Sequence, residues 1–285
     1  MASNLSAAVV ALMTLAIAAC DRREPLVICH NANCAEPTDV AEDDTLPALR
    51  ESLALRYQGR PILDGIEMDS FWRGADEQCI FAHDLETVVD IVPATAPATE
   101  LAMYFATPGP IAWRDDIPFE VLLELKSAVS ASPIKRHTPA QRAAHAACAW
   151  DIYKIIADAA VANNRNIRIT FSAFAPELLR AVLDGKPVAT PVDFRLEGLQ
   201  GIPAPLDAET RPLGDYNGLP IDVVEFHAHW ITDAQHEAVL SLNAELSLFM
   251  FDATVETFAA IRQYQPASVV TSEAQLLRRW VSSSY

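Results

Sequence analysis

The chain has no internal repeat, no low-complexity tract beyond modest Ala-rich stretches and no Cys-x-x-Cys pair. The first absence excludes solenoids and propellers. The last removes the paired thiolates that a structural zinc normally uses. No Gly-rich phosphate turn follows the first predicted strand, which argues against a dinucleotide-binding sheet. Basic residues are scarce: 21 Lys and Arg face 38 acids, for a formal net charge of −17. That balance excludes nucleic-acid binding through a basic surface and is compatible with a cation site. What is present is a large apolar fraction, 51% of 285 residues, enough for a sizeable core and too much for wholesale disorder. The length suits one barrel or large α/β domain as well as two domains.

The most apolar run, residues 7–19, is uncharged but too short for a comfortable membrane span. Residues 1–19 therefore read as a secretory signal. Their ending, Ile17-Ala18-Ala19-Cys20, resembles a bacterial lipobox, which implies that Cys20 becomes the lipidated first residue of the mature chain. Residues 20–25 would be the lipidated tether and residues 26–285 the folded body. The n-region, residues 1–6, has no Lys or Arg, so an ordinary signal peptide or an uncleaved anchor is the alternative. The expected location is the bacterial cell envelope, periplasm or cell surface, with membrane attachment through the lipid. An oxidising compartment permits bridges among Cys29, Cys34, Cys79 and Cys148. Cys29 and Cys34 bracket His30 and could close a small loop. Cys148, in a helical pattern, reads as a buried thiol.

One stretch organises the rest, residues 64–85. Glu67 and Asp69 alternate with apolar residues, so in a strand both face one spot where a dication could bridge them. A second apolar run, residues 79–82, then delivers His83 beside Asp84. Along the chain, strands are expected at 25–30, 62–71, 119–127, 166–171, 186–194, 221–229, 245–252 and 267–271. Helices are expected at 45–57, capped by Asp44 or Thr45, then at 138–163, 176–184, 234–242, 255–264 and 274–281. Residues 86–118 read as a long loop with one short helix, and residues 197–220 as a lid-like loop. Strands alternating with helices mark parallel βα units, and eight such strands predict an α/β fold, a (β/α)8 TIM-type barrel. The alternative is an open doubly wound sheet. His30, Glu67, Asp69, Glu124, Lys126, Ser172, Asp193, His227, His229 and Asp252 all fall at or near C-terminal strand ends. In a barrel these ends share the rim where active sites are built.

With those residues in place, the chain resembles the glycerophosphodiester phosphodiesterase family, within the PLC-like phosphodiesterase barrel superfamily. The resemblance rests on His30-Asn31, Glu42-Asp43-Asp44-Thr45, Glu67-Met68-Asp69, His83-Asp84, Glu124-Leu125-Lys126, the segment Ser172-Ala173-Phe174-Ala175-Pro176-Glu177-Leu178-Leu179, and Thr271-Ser272. Their order matches the family's from residue 26 to about residue 280. Three positions depart from its pattern: Asn31 replaces an Arg, Ser272 an Asp, and Glu-Asp-Asp-Thr a Glu-Asn-Thr.

The resemblance implies a metal-dependent hydrolase of glycerophosphodiesters that releases glycerol phosphate and an alcohol. It implies Glu67, Asp69 and Glu124 as ligands of one divalent cation, Ca²⁺ or Mg²⁺, with His30 and His83 as the acid–base pair. Lys126 and the position of Asn31 would contact substrate, a small phosphodiester or phospholipid head group. Two alternatives remain. One is a phospholipase D-like enzyme forming a cyclic phosphate. The other is a catalytically weak envelope lipoprotein that binds a phosphorylated ligand, which Asn31 and Ser272 favour. His227-x-His229 could mimic a zinc pair. Trp230, Phe249 and Phe251 read as core or pocket wall, and His137, His145 and His236 as solvated.

Overall fold

The computed structural model describes residues 24–35, 43–74, 76–83, 91–126, 137–200, 216 and 218–284. The expected signal segment, Cys20, Glu42, Asp84 and most of the lid-like loop lie outside these residues. The strands are β1 (Leu26–Cys29), β2 (Arg56–Tyr57), β3 (Arg60–Pro61), β4 (Gly65–Arg73), β5 (Gln78–Phe81), β6 (Phe119–Lys126), β7 (Ile167–Ala173), β8 (Phe194–Leu199), β9 (Val223–His227), β10 (Glu245–Met250) and β11 (Ser268–Thr271). The helices are α1 (Leu46–Ala54), α2 (Thr95–Ala106), α3 (Pro139–Ala162), α4 (Pro176–Asp184), α5 (Asp233–Ser241), α6 (Val255–Tyr264) and α7 (Ala274–Ser284).

Strand β1 pairs in parallel with both β4 and β11, and the order β4-β6-β7-β8-β9-β10-β11 completes a closed ring of eight parallel strands. This is the expected (β/α)8 barrel. Strand β5 is an antiparallel appendage on the end of β4, with Ser70 opposite Phe81 and Arg73 opposite Gln78. Gly65 is where β4 comes close to β6: a Cβ there would lie 2.5 Å from the Glu120 carbonyl oxygen.

Local chemistry starts the helices where the barrel needs them. Thr45 accepts a hydrogen bond from the Ala48 N–H at the start of α1. Thr138 with Gln141, and Thr232 with Gln235, form reciprocal caps before α3 and α5. Alternation along the strands then sorts the side chains. Val121, Leu123 and Leu125 of β6 join the outer core beneath the helices with Ile152, Ile156 and Trp150 of α3. The inside of the barrel is different. Its apolar cluster is small (Leu26, Ile28, Leu122 and Val270), and Glu67, Asp69, Glu120, Glu124, Glu197 and Glu225 are buried polar residues of the strands. Toward the N-terminal end, Glu120 is neutralised by Arg168 at 2.8 Å and Arg195 at 3.6 Å.

The structure corrects several local expectations. Strand β8 begins at Phe194, where the sequence pattern suggested an end. Pro187 and Pro191 cannot donate to a ladder, and residues 186–193 form no strand. Asp193 therefore sits at the opposite end of β8 from the rim. Residues 95–106 form a full helix, α2, with Pro97 tolerated in its first turn. Helix α1 stops at Ala54 and gives way to the β2–β3 hairpin. Cys148 is not a free thiol: it is joined to Cys79, which ties α3 to β5.

His137 and His145 are buried, not solvated, because α3 packs its His145 face onto the barrel beside Ser70. His236 is half-buried against Tyr264. Burial and the neighbouring His137 push His145 down to about 3. An unfolded chain holds an ordinary histidine, about 6.5, and so takes up the proton first. The neutral His145 thus contributes stability that is full above about pH 6.5 and is lost as pH falls toward 3. Denaturation curves across that window should show the parent losing up to about 1.4 kcal/mol per pH unit relative to His145→Gln. A pH-independent difference would contradict the assignment.

Candidate active site

Parallel strands all end on one face, so residues near their C-terminal ends converge. Asp69 of β4 is in register with Glu124 of β6, and Glu124 with Ser172 of β7. Glu67 shares the face of Asp69, two residues earlier. Glu67, Asp69 and Glu124 each place a carboxylate oxygen within 4.8 Å of the others, and all three are buried. No other group of three or more His, Cys, Asp or Glu among the described residues gathers in this way. Lys126 Nζ reaches to 3.0 Å from Asp69 Oδ2 and 2.9 Å from Glu124 Oε2.

Burial pushes Glu67 well up, with Asp69 and Glu124 adding to the rise and Lys126 opposing it. Burial also raises Asp69 and Glu124, again against Lys126. On Lys126 itself burial acts downward, but Asp69, Glu124 and Glu67 outweigh it and hold the ammonium well above its ordinary range. One ammonium thus faces three buried acids. Asp69 Oδ1 and Glu124 Oε1 are buried with no hydrogen-bond partner among the described residues. Convergent oxygen donors with unused lone pairs fit a hard divalent cation such as Ca²⁺ or Mg²⁺ rather than zinc.

The loop after β1 brings in the first imidazole. The Cys29–Cys34 bridge closes it, and Asn31 and Ala32 are left-handed, with φ of 50° and 54°. Within it, the Asn31 N–H donates to Glu67 Oε2 at 3.2 Å, and His30 Nε2 lies 3.7 Å from the same oxygen. His30 Nδ1 lies 3.4 Å from Ser272 Oγ. Ser272, which stands where the resembled family has an Asp, therefore still meets the His30 ring. Across the site the His83 ring is 6.2 Å from that of His30 and nearly perpendicular to it. Burial, then Lys126 and His83, lower His30 well below its ordinary value and leave it neutral.

The Asn31 side chain, expected near substrate, packs into the loop itself. Its amide is buried and donates to Asp43 Oδ2 at 3.2 Å, while the Asn33 amide donates to Asp43 Oδ1 at 2.9 Å. The next residue is one that sequence reasoning missed. Asp44 is buried, donates its N–H to the Asn31 carbonyl at 2.8 Å, and accepts the Asp69 N–H at 3.1 Å. Burial and Asp69 raise it well above the usual carboxyl range. A loop aspartate carries no periodicity that would reveal this role.

Glu225 was also missed, although its alternation with His227 puts both on one face of β9. It accepts a hydrogen bond from Ser247 Oγ at 3.0 Å, and burial pushes it up to about 8. The acids and imidazoles open into a pocket of about 540 Å³ lined also by Phe174, Trp230, Phe249, Phe251 and Asp252. His227 and His229 stack at 5.4 Å on its far side, and no third ligand joins them among the described residues. The zinc-pair alternative has no support in this arrangement.

The class this defines is a (β/α)8 barrel with an acid- and histidine-lined rim. No family model matches the chain, and no curated protein matches it. Among solved structures it aligns with a phosphodiesterase of Oleispira antarctica, in complex with the product sn-glycerol-3-phosphate, at 12% identity over 91% of this chain and 97% of that one, TM-score 0.57. It also aligns with a glycerophosphodiester phosphodiesterase of Agrobacterium tumefaciens at 15% identity over 90% and 99% of the two chains, TM-score 0.52. The likeness is one of fold, that of a (β/α)8 barrel.

Asp44 ties the Asp69 backbone to the loop that carries His30. Removing its carboxylate leaves a buried N–H unpaired, at a cost of about 1–3 kcal/mol. Calorimetric titration of Asp44→Ala with Ca²⁺ should show affinity reduced about 10–100-fold, the usual loss when a group that holds a metal-binding residue in place is removed. Unchanged affinity would separate Asp44 from the acid cluster.

Proposed function

We propose that this chain is a metal-dependent phosphodiester hydrolase acting on glycerophosphodiesters and releasing glycerol phosphate and an alcohol. The observation that carries the reading is the meeting of three buried acids and one ammonium with two imidazoles 6.2 Å apart, in one pocket. The shared fold with phosphodiesterases, one of them holding sn-glycerol-3-phosphate, supports the phosphate-ester class.

Phosphodiester cleavage needs charge neutralisation at the non-bridging oxygens, a base and an acid. Glu67, Asp69 and Glu124 would hold one divalent cation, which supplies Lewis-acid activation and a template. Lys126, fixed by Asp69 and Glu124, carries a positive charge to the same spot and offsets charge on the phosphoryl oxygens. His30 is neutral, and its Nδ1 faces the Ser272 hydroxyl, so Nε2 is the nitrogen placed to take a proton. The proton comes from the glycerol hydroxyl beside the phosphate as that oxygen attacks phosphorus. His83 gives a proton to the departing alcohol oxygen. The resulting cyclic phosphate is then opened by water with the two imidazoles exchanging roles, which restores both proton states.

Glycerol 3-phosphate release from glycerophosphodiesters tests this directly. A chelator should abolish it, and Ca²⁺ or Mg²⁺ should restore it. His30→Ala and His83→Ala should each lower kcat by about 10²–10⁴-fold while remaining folded. No turnover with Ca²⁺, Mg²⁺ or Mn²⁺ would remove the proposal.

We further propose export and lipidation at Cys20, with residues 1–19 removed, residues 20–25 as the tether and residues 26–285 as the barrel. The lipobox-like Ile17-Ala18-Ala19-Cys20 supports this, as do two bridges, Cys29–Cys34 and Cys79–Cys148, of the kind that persist in oxidising compartments. Cys20→Ala should move the protein from the membrane fraction to the soluble fraction. Equal partitioning of both forms would count against the anchor.

A further inference from the structure

A second pocket, of about 470 Å³, lies at the other end of the barrel. It is formed by the segment before β6, the turn before β7 and Arg60 of the β2–β3 hairpin. Strand β6 runs between the two pockets: its approach lines this one, and its last residue, Lys126, lines the active site. The two are opposite in charge. Lys126 is the only Lys or Arg among the described residues lining the active site, where Glu67, Glu124, Glu225 and Asp252 surround it. The second pocket gathers Arg60, Arg114 and Arg165 against one acid, Asp115. A chain with 38 acids and 21 Lys and Arg has here reversed its own balance.

Carbonyls and a ring, more than carboxylates, hold these guanidiniums. Arg165 donates from Nε to the Phe105 carbonyl at 2.7 Å, from Nη1 to that of Gly109 at 2.9 Å and from Nη2 to that of Thr107. It meets no carboxylate among the described residues. Arg114 donates from Nη1 to the Glu24 carbonyl at 3.3 Å. Its Nε is buried with no hydrogen-bond partner among the described residues, and Asp116 Oδ1 stands off at 3.7 Å. A buried donor left in that state costs about 1–3 kcal/mol, which an incoming acceptor recovers. Arg60 lies 5.9 Å from the centre of the Trp113 ring and gives Nη2 to Asp115 Oδ2 at 2.8 Å. That pair is on the surface, where an ion pair is worth about 0–1 kcal/mol and exchanges readily. Asn164 and Asn166 line the same pocket and add neutral amide donors.

We propose that this pocket is a second ligand site, separate from the active site, that binds the terminal phosphate of a phosphomonoester. Three guanidiniums against one carboxylate leave an excess of two positive charges, and a phosphomonoester carries about −1.5 to −2 at neutral pH on three acceptor oxygens. Guanidinium forks match such oxygens in pairs. A carboxylate or a phosphodiester brings one negative charge and two free oxygens, and so leaves part of the pocket unmatched. The volume exceeds that of a phosphate ion and leaves room for the alcohol attached to it. The same group occurs on water-soluble phosphomonoesters and on lipid head groups at a bilayer surface. Cys20 is four residues from Glu24, whose carbonyl Arg114 holds, so an anchor there lies within about 14 Å of it. The site itself depends neither on that anchor nor on the phosphodiesterase reading.

The test is calorimetric titration of the full chain with inorganic phosphate and with glycerol 3-phosphate, in the presence of a chelator. Arg60→Ala and Arg114→Ala should each weaken phosphate binding by about tenfold or more. Asp115→Asn removes the only acid of the pocket and should tighten binding several-fold, a gain that a folding defect does not produce. Any turnover of glycerophosphodiesters should be unchanged in all three variants. The sources are separated with vesicles of phosphatidylcholine, with and without phosphatidate. A lipid anchor holds the chain to both kinds alike, whereas the pocket adds a preference for phosphatidate that Arg114→Ala removes. That preference identifies the lipid as the source. Its absence, with glycerol 3-phosphate affinity falling in Arg114→Ala, identifies the soluble ester; either supports the site. No phosphate binding, or the same affinity in the parent and every variant, overturns it. If the alanine variants fail to fold, Asp115→Asn decides: tighter binding supports the site and unchanged binding overturns it.

Discussion

Three carboxylates buried within 4.8 Å of one another, with one ammonium between two of them, are the constraint on which the rest of this structure depends. Such a group is costly anywhere in a protein interior. Here it is held because the acids come from rigid neighbouring strands whose register leaves them no other direction. The barrel interior separates its charges along its axis. Toward the N-terminal end, Glu120 is matched by Arg168 and Arg195. Toward the C-terminal end, the acids outnumber Lys126, and Asp69 and Glu124 keep unpaired oxygens. The imbalance sits at the end of the barrel that opens into the pocket.

The loop after β1 converts that cluster into a site with two sides. It reaches Glu67 through the Asn31 N–H and reaches Asp69 through Asp44, so both acids of β4 are tied to the segment carrying His30. Three left-handed residues, Asn31, Ala32 and Asp44, make this path possible, and the Cys29–Cys34 bridge limits the alternatives open to it. The second bridge, Cys79–Cys148, fixes β5 against α3 and so supports the strand that leads to His83. Both imidazoles are therefore positioned by covalent staples lying outside the acid cluster.

The departures from the resembled family become intelligible in this frame. Asn31 is part of the clamp, with its side chain on Asp43 and its backbone on Glu67. Ser272 still faces His30 Nδ1, where a hydroxyl can orient the ring without adding charge. The opposite wall carries aromatic rings and no free cation among its described residues. Charge handling and apolar contact are thus assigned to different strands of one ring.

Much of this was legible beforehand, because it is written in local chemistry. Alternation at Glu67 and Asp69, helical spacing with Thr and Pro at helix starts, and polar residues at strand ends each report on their own few residues, and those are what a strand or helix reads. Asp44, the clamp made by Asn31, the Cys79–Cys148 partnership and the burial of His145 left little or no such trace, whereas Glu225 carried one in its alternation with His227. Asp193 was misplaced because prolines, rather than apolar pattern, set where β8 begins. The sequence by itself determined the element types, the barrel class and which acids and imidazoles stand near strand ends. Only the tertiary structure decided which of them meet, how each is charged and what faces them across the pocket. Ring closure and inter-strand register join residues far apart in the chain, and the low dielectric that sets their proton states exists only once they are buried together.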